Sequence, residues 1–213
     1  MRYVINKTPA AGSLQVIGKP TQVPSPWVVL NPPSAWGTFP ADMKKRIGAY
    51  SNANYATARA GVGSWYGPDW GAGVMAVGQS LTTALSGDPL WVCAETFLSF
   101  DLPTGTPSTA TLSLYKGGIS TAQAFTLEVR AYDFGATVET GDYVAGAGLG
   151  SYTLLGSLYC PAAAADGLYE ITLDETGMLD HLLLCSDRHR LGNEPVLDDR
   201  EGSSINTPEL VLS

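Results

Sequence analysis

The stretch from Glu95 to Tyr115 constrains the fold more than any other part of the chain. It opens with Thr96-Phe97-Leu98-Ser99-Phe100, breaks at Pro103-Thr104-Gly105-Thr106-Pro107, and resumes as Thr109-Ala110-Thr111-Leu112-Ser113-Leu114-Tyr115. The second half alternates small polar with apolar side chains. That is the period of a half-buried strand, whose successive side chains point to opposite faces. Proline removes a ladder donor and glycine takes up turn conformations, so the middle reads as a turn. The whole reads as a strand–turn–strand hairpin.

Segments of the same kind recur at Tyr55–Ala60, Val74–Gly78, Leu90–Asp101, Phe125–Tyr132, Ser151–Tyr159, Leu168–Leu173, Leu182–Arg188 and Glu209–Leu212. With Thr109–Tyr115 that makes about nine strands separated by polar or glycine-rich connections, the spacing of an all-β, antiparallel sandwich or jelly roll. The composition agrees: 24 glycines and 14 prolines with only 15% charged residues describe a turn-rich chain, and 45% hydrophobic residues exceed what a disordered one carries. Helix is expected only as one turn at Ala41–Ile47 and a short segment within Thr176–Leu183.

Residues 1–48 read as an extended arm and 49–213 as the sandwich domain. Seven of the 14 prolines lie in the arm, interrupted by apolar islands at Leu14–Ile17, Trp27-Val28-Val29-Leu30, and Trp36 with Phe39. A solvated linker has no use for such islands, so the arm either folds back or docks on a partner. Docking is the favoured reading, with Trp27, Val28, Val29, Leu30, Trp36 and Phe39 as its interface. Charge divides the same way. Residues 1–46 hold six basic side chains against Asp42 alone, net +5, while the rest hold six against nineteen acidic ones, net −13. Six basic charges over 46 residues track phosphates poorly, so an acidic protein surface, a neighbouring copy of this chain included, suits the arm at least as well as nucleic acid, and a solvated tail is the alternative reading of the charge. Met1–Pro9 lacks the apolar run of a signal peptide, and no stretch approaches a membrane span. Synthesis in a cytoplasm is expected, with action there or in an assembly built there.

The chain offers little for catalysis. Its only histidines are His181 and His189, and no serine sits in a nucleophile elbow. Strand alternation would put Asp187 and His189 on one face, where a polar strand end is the reading preferred to a functional pair. Cys93, Cys160 and Cys185 are scattered, which suits buried free thiols and not zinc. The carboxylates of one glycine-bearing loop, Asp133, Glu139 and Asp142, are weak candidates for Ca²⁺, without the spacing of a calcium loop. Asp198, Asp199 and Glu201 form a similar group. Val144–Gly150 is glycine-rich but opens no helix, so it reads as a flexible loop rather than a phosphate cradle. No cofactor is expected. The loop bearing Trp65, Tyr66 and Trp70 suits a protein interface, sugar stacking or packing on its own domain.

Taken in order, Tyr55–Ala60, Ala76-Val77-Gly78, Thr96–Leu102 and Ala110–Tyr115 resemble the opening strands of the DNRLRE-type β-sandwich domain. Arg200-Glu201-Gly202-Ser203-Ser204 and Pro208–Leu212 resemble its close, and the likeness spans about residues 50–213. The resemblance implies a carbohydrate-binding-module-like, non-catalytic sandwich of the kind carried on extracellular and virion surfaces. Joined to a proline-rich basic arm, it implies a structural protein of a tailed bacteriophage: a capsid decoration protein or a tail accessory protein, assembled in the host cytoplasm. The implied partners are the major capsid or tail protein, further copies of the chain, and a cell-surface glycan.

Overall fold

The computed structural model describes residues 36–61, 65–67, 76–84, 86–116, 123–195 and 205–213, with backbone alone at 65–67 and 205–207. Trp36–Ser213 forms one compact unit. In chain order its elements are β1 (Thr38–Pro40), β2 (Met43–Ser51), α1 (Tyr55–Ala60), β3 (Trp65–Gly67), β4 (Gly78–Thr83), β5 (Pro89–Ser99), β6 (Ala110–Lys116), β7 (Phe125–Ala131), β8 (Leu154–Cys160), β9 (Gly167–Leu173), β10 (His181–Ser186), α2 (Asp187–Leu191) and β11 (Ile205–Leu212). Short 3₁₀ turns occupy Thr140–Asp142 and Leu149–Ser151.

The expected sandwich is present, as two antiparallel sheets. The smaller runs β1-β11-β6-β9 and the larger β3-β2-β5-β10-β7-β8. In the larger sheet β2 follows one edge of β5 from Met43↔Ser99 to Ser51↔Trp91. The other edge is shared: β10 takes Thr96–Ser99 and β4 takes Pro89–Ala94. Eleven residues of β5 thus anchor three neighbours.

Alternation decides which side chains meet. Leu98 of β5, Leu127 and Val129 of β7, and Leu182 and Leu184 of β10 face Leu112, Leu114, Ile171, Leu173 and Leu210 of the smaller sheet in one buried core. The opposite positions, Cys93, Phe97, Leu183 and Cys185, face a second core closed by α1 and by Phe134, Val138, Tyr143, Val144 and Leu149 of the β7–β8 connection. The larger sheet is therefore buried on both faces, which explains the unbroken apolar run Leu182-Leu183-Leu184-Cys185. The smaller sheet leaves its outer face to solvent, where Tyr115, Leu168 and Val211 are exposed.

Several expectations are corrected. Glu95–Tyr115 is not a hairpin: β5 and β6 lie in different sheets, and the turn between them is a crossover. Tyr55–Ala60 is helix, with the Asn54 side chain accepting the Thr57 N–H at 2.8 Å and Tyr55 and Ala58 buried at helical spacing. Ala41–Ile47 runs into strand β2, and Thr176–Leu183 is a turn entering β10. Asp187–Leu191 is helix, bracketed by Ser186 as N-cap and by Gly192 in the left-handed conformation, φ 82°. The sandwich also begins earlier than residue 49, because Trp36–Gly48 supplies β1 and most of β2.

Candidate functional site

Burial of both faces of the larger sheet forces every polar side chain there to find a partner inside. Glu95 of β5 and His189 of α2 are both wholly buried. The Glu95 Oε2 atom accepts the Val144 N–H at 3.0 Å, and Oε1 faces His189 Nδ1 at 3.8 Å. Among the described residues, neither of those two facing atoms has a hydrogen-bond partner. On the far side of the imidazole, Nε2 lies 3.1 Å from the Tyr143 hydroxyl, which in turn bonds Cys93. Burial pushes the Glu95 carboxyl well up, against the Val144 N–H that pulls it down. Burial and the charge of Arg59 push His189 down to about 3. Both shifts favour the neutral forms of the pair, a carboxylic acid facing a neutral imidazole across 3.8 Å.

Three segments converge on this pair. Arg59, in the last turn of α1, donates from Nε to the His189 carbonyl at 2.7 Å and from Nη2 to that of Arg190, capping α2. Gly146 N donates back to the Arg59 carbonyl at 3.1 Å. A Cβ on Gly146 would stand 2.6 Å from the His189 carbonyl oxygen and 2.7 Å from its Cδ2. Close backbone approach is why glycine is needed there. Gly146→Ala is expected to cost about 1–3 kcal/mol in urea unfolding. Gly150→Ala, whose Cβ would meet nothing nearer than 3.9 Å, is the control and should stay within about 0.5 kcal/mol. Equal effects at the two positions would refute the packing argument. Val144–Gly150, expected to be a flexible loop, is thus a packed wall with Val144 and Leu149 buried.

Beside the pair lies an ionic triad. The Glu128 carboxylate, on β7, accepts Arg130 Nη2 at 2.7 Å and Arg190 Nη2 at 2.8 Å. Arg130 also donates to the Tyr152 carbonyl at 2.6 Å. Burial alone would raise the Glu128 carboxyl, but hydrogen bonds from Arg190 and Arg130, with their charges, hold it below its ordinary value. The Tyr55 hydroxyl bonds Gln79 Oε1 at 2.5 Å, and Gln79 Nε2 bonds the Asn193 carbonyl, tying α1 to β4 and to the exit of α2.

The sequence candidates fall elsewhere. Asp187 and His189 do not share a face: Asp187 accepts the Thr126 N–H at 2.8 Å while His189 turns inward to Glu95. Asp133 accepts the Gly135 N–H at 2.8 Å and lies 3.2 Å from His181, whose ring stacks on Phe134. Glu139 and Asp142 cap each other's backbone in the first 3₁₀ turn. The three carboxylates do not converge, and among the described residues no group of three or more metal-ligating side chains does. Trp36 and Phe39, expected in a docking arm, pack on the sandwich core of their own domain. Trp27, Val28, Val29, Leu30 and Trp70 lie outside the described residues, and Trp65 and Tyr66 are placed only as backbone of β3, paired with Gly48 and Ile47. Cys93, Cys160 and Cys185 are buried free thiols. Among the described residues no helix is long and apolar enough to cross a membrane.

Glu95 was missed as a site residue although it lies within β5 and opens the most diagnostic stretch of the sequence. The available signal was a carboxylate between Cys93 and Phe97 on a strand apolar on both faces, which must find an internal partner. The chain matches no family model, and no curated protein matches it.

Proposed function

We propose that the chain is a non-enzymatic structural protein of a tailed-bacteriophage virion, a capsid decoration protein anchored by its N-terminal segment. The observation that carries the non-enzymatic part is the closure of the Glu95–His189 pair. Both side chains are shut off from solvent, so no substrate reaches the proton they hold. The pair, its Tyr143 and Arg59 partners and the Glu128 triad instead fasten a helix-and-loop layer to the larger sheet. A rigid, acidic module of this kind suits display. Residues 36–213 hold nine basic side chains against twenty acidic, net −11, while residues 1–35 hold Arg2, Lys7 and Lys19 with no acid, net +3. A basic, proline-rich leader suits docking on an acidic shell surface, that of a major capsid protein, and further copies of the chain are proposed neighbours there. The virion setting rests on the resemblance to surface-displayed sandwiches.

The fold moves the cut that tests this reading. Deletion through residue 46 would remove β1 and part of β2, whereas deletion of residues 1–35 spares every strand of the compact unit. The shortened protein is expected to fold with the native circular dichroism spectrum and to be missing from purified virions, read by sedimentation and immunoblot. Incorporation at the level of the full chain would defeat the anchoring role.

A further inference from the structure

A strand at the edge of a sheet presents unpaired N–H and C=O groups, which proteins blunt with brevity, proline, charge or cover. Most edges of this sandwich show one of these devices. β1 and β3 span three residues each, and β1 ends in Pro40. β9 carries the exposed Glu170 at its middle. β4 is flanked by α2, with Gln79 bonded to the Asn193 carbonyl at the exit of that helix. β8 is the exception. It runs for seven residues, Leu154–Cys160, without a charge or a proline, and among the described residues only β7 pairs with it. Its first end is covered: the Asp174 N–H bonds the Leu155 carbonyl, and Gly177 leaves no room for a Cβ beside the Leu155 side chain. Residues 157–160 keep an open edge, toward which alternate backbone groups point.

Two further observations bear on what covers that edge. Exposed apolar side chains gather around it: Leu154 and Tyr159 on β8, at 46% and 66% exposure, and Leu168 of β9 with Tyr115 opposite it. Charge is absent, because residues 143–165 hold none of the chain's 12 basic and 20 acidic side chains. A charged partner of either sign gains nothing from such a strip. A second copy gains most. Residues 36–213 carry net −11, so two copies repel wherever their acidic faces meet and approach best along an uncharged one. An antiparallel strand edge is also its own complement under a two-fold axis, each copy's donors meeting the other's acceptors. We propose that two copies of this chain pair through β8, antiparallel about a two-fold axis. Their larger sheets join into one continuous sheet, with Leu154 and Tyr159 packed across the seam.

The test is sedimentation equilibrium of the full chain over a wide range of concentration. A monomer–dimer equilibrium with a micromolar dissociation constant is expected. Leu154→Lys with Tyr159→Lys, both at solvent-facing positions, supplies the edge charge that β8 lacks. The double variant should raise the dissociation constant about tenfold or more while keeping the circular dichroism spectrum of the parent. Leu191→Lys, at a comparably exposed apolar residue of α2, is the control and should leave the constant unchanged. Hydrogen exchange within residues 157–160 should slow as concentration rises in the parent and not in the double variant. A chain that stays monomeric at every concentration, a dimer that the double variant leaves intact, or protection that appears on β1 or β9 instead would each overturn the proposal. The proposal gives a surface to the neighbouring copies named above but does not rest on the virion setting. The isolated chain is measured without virions, so this result stands or falls apart from the anchoring experiment.

Discussion

Glu128→Ala is expected to destabilise the sandwich by about 3–5 kcal/mol, as removal of one partner from a buried ionic group does. The Glu128 carboxylate is buried at 4% exposure and receives both Arg130 and Arg190. Arg190 keeps 28% of its side chain exposed and can turn to water, but Arg130, at 6%, cannot. The cost therefore comes from Arg130, left charged with only neutral partners, the Tyr152 carbonyl and the Cys185 thiol, in place of the carboxylate. A paired variant separates this from simple loss of packing. Glu128→Leu with Arg130→Met removes both buried charges and refills the volume, so it should recover most of the loss. Unfolding free energies from urea titration decide the matter. A Glu128→Ala protein within about 1 kcal/mol of the parent would show that Arg130 reaches solvent or another acceptor.

How far the residues foretold this arrangement depended on whether the deciding forces were local. The strands β6 and β9 of the smaller sheet were legible because side-chain alternation is itself the physics of a half-buried strand. Alternation says nothing about which sheet receives a strand. Hence Glu95–Tyr115 read as a hairpin, although Pro103 and Pro107 belong to a crossover between sheets. Tyr55-Ala56-Thr57-Ala58-Arg59-Ala60 misled for a different reason. Alanine counts as apolar in a period-two pattern yet is the best helix former, and Asn54 just before it was the better guide. The same holds at α2, where Ser186 and Gly192 were boundary signals hidden behind the apolar run of β10. The Glu95–His189 contact spans strand and helix far apart in sequence, and it arises only because the larger sheet is covered on both faces.

That contact leads to a characteristic dependence of stability on pH. Unfolded, Glu95 and His189 titrate near 4.5 and 6.5. Folded, the pair keeps one proton, because burial raises the carboxyl and lowers the imidazole to about 3. Between pH 4.5 and 6.5 the unfolded chain also holds one proton on these residues, as imidazolium beside carboxylate, so the pair contributes no slope there. Below 4.5 the unfolded chain holds two and stability falls as pH falls. Above 6.5 it holds none while the folded protein keeps one, so stability falls as pH rises, by about 1.4 kcal/mol per unit until Glu95 ionises. The groups facing the pair do not mask this between about pH 6.5 and 8: hydrogen bonds from Arg190 and Arg130 hold the Glu128 carboxyl below its ordinary value, the bond to Glu128 raises Arg190, and burial raises the Cys185 thiol and the Tyr143 hydroxyl. Glu95→Gln preserves the shape and removes the titrating acid, so its stability should be level above 6.5 and fall only toward acid. His189→Gln should instead begin its alkaline loss near 4.5, because the unfolded carboxyl then releases its proton with no imidazole to hold one. Urea unfolding of the three proteins at half-unit steps from pH 5 to 8 provides the measurement. A parent protein whose stability is level from 6.5 to 8 would mean that Glu95 is ionised in the fold, and the single-proton description of the pair would have to be abandoned.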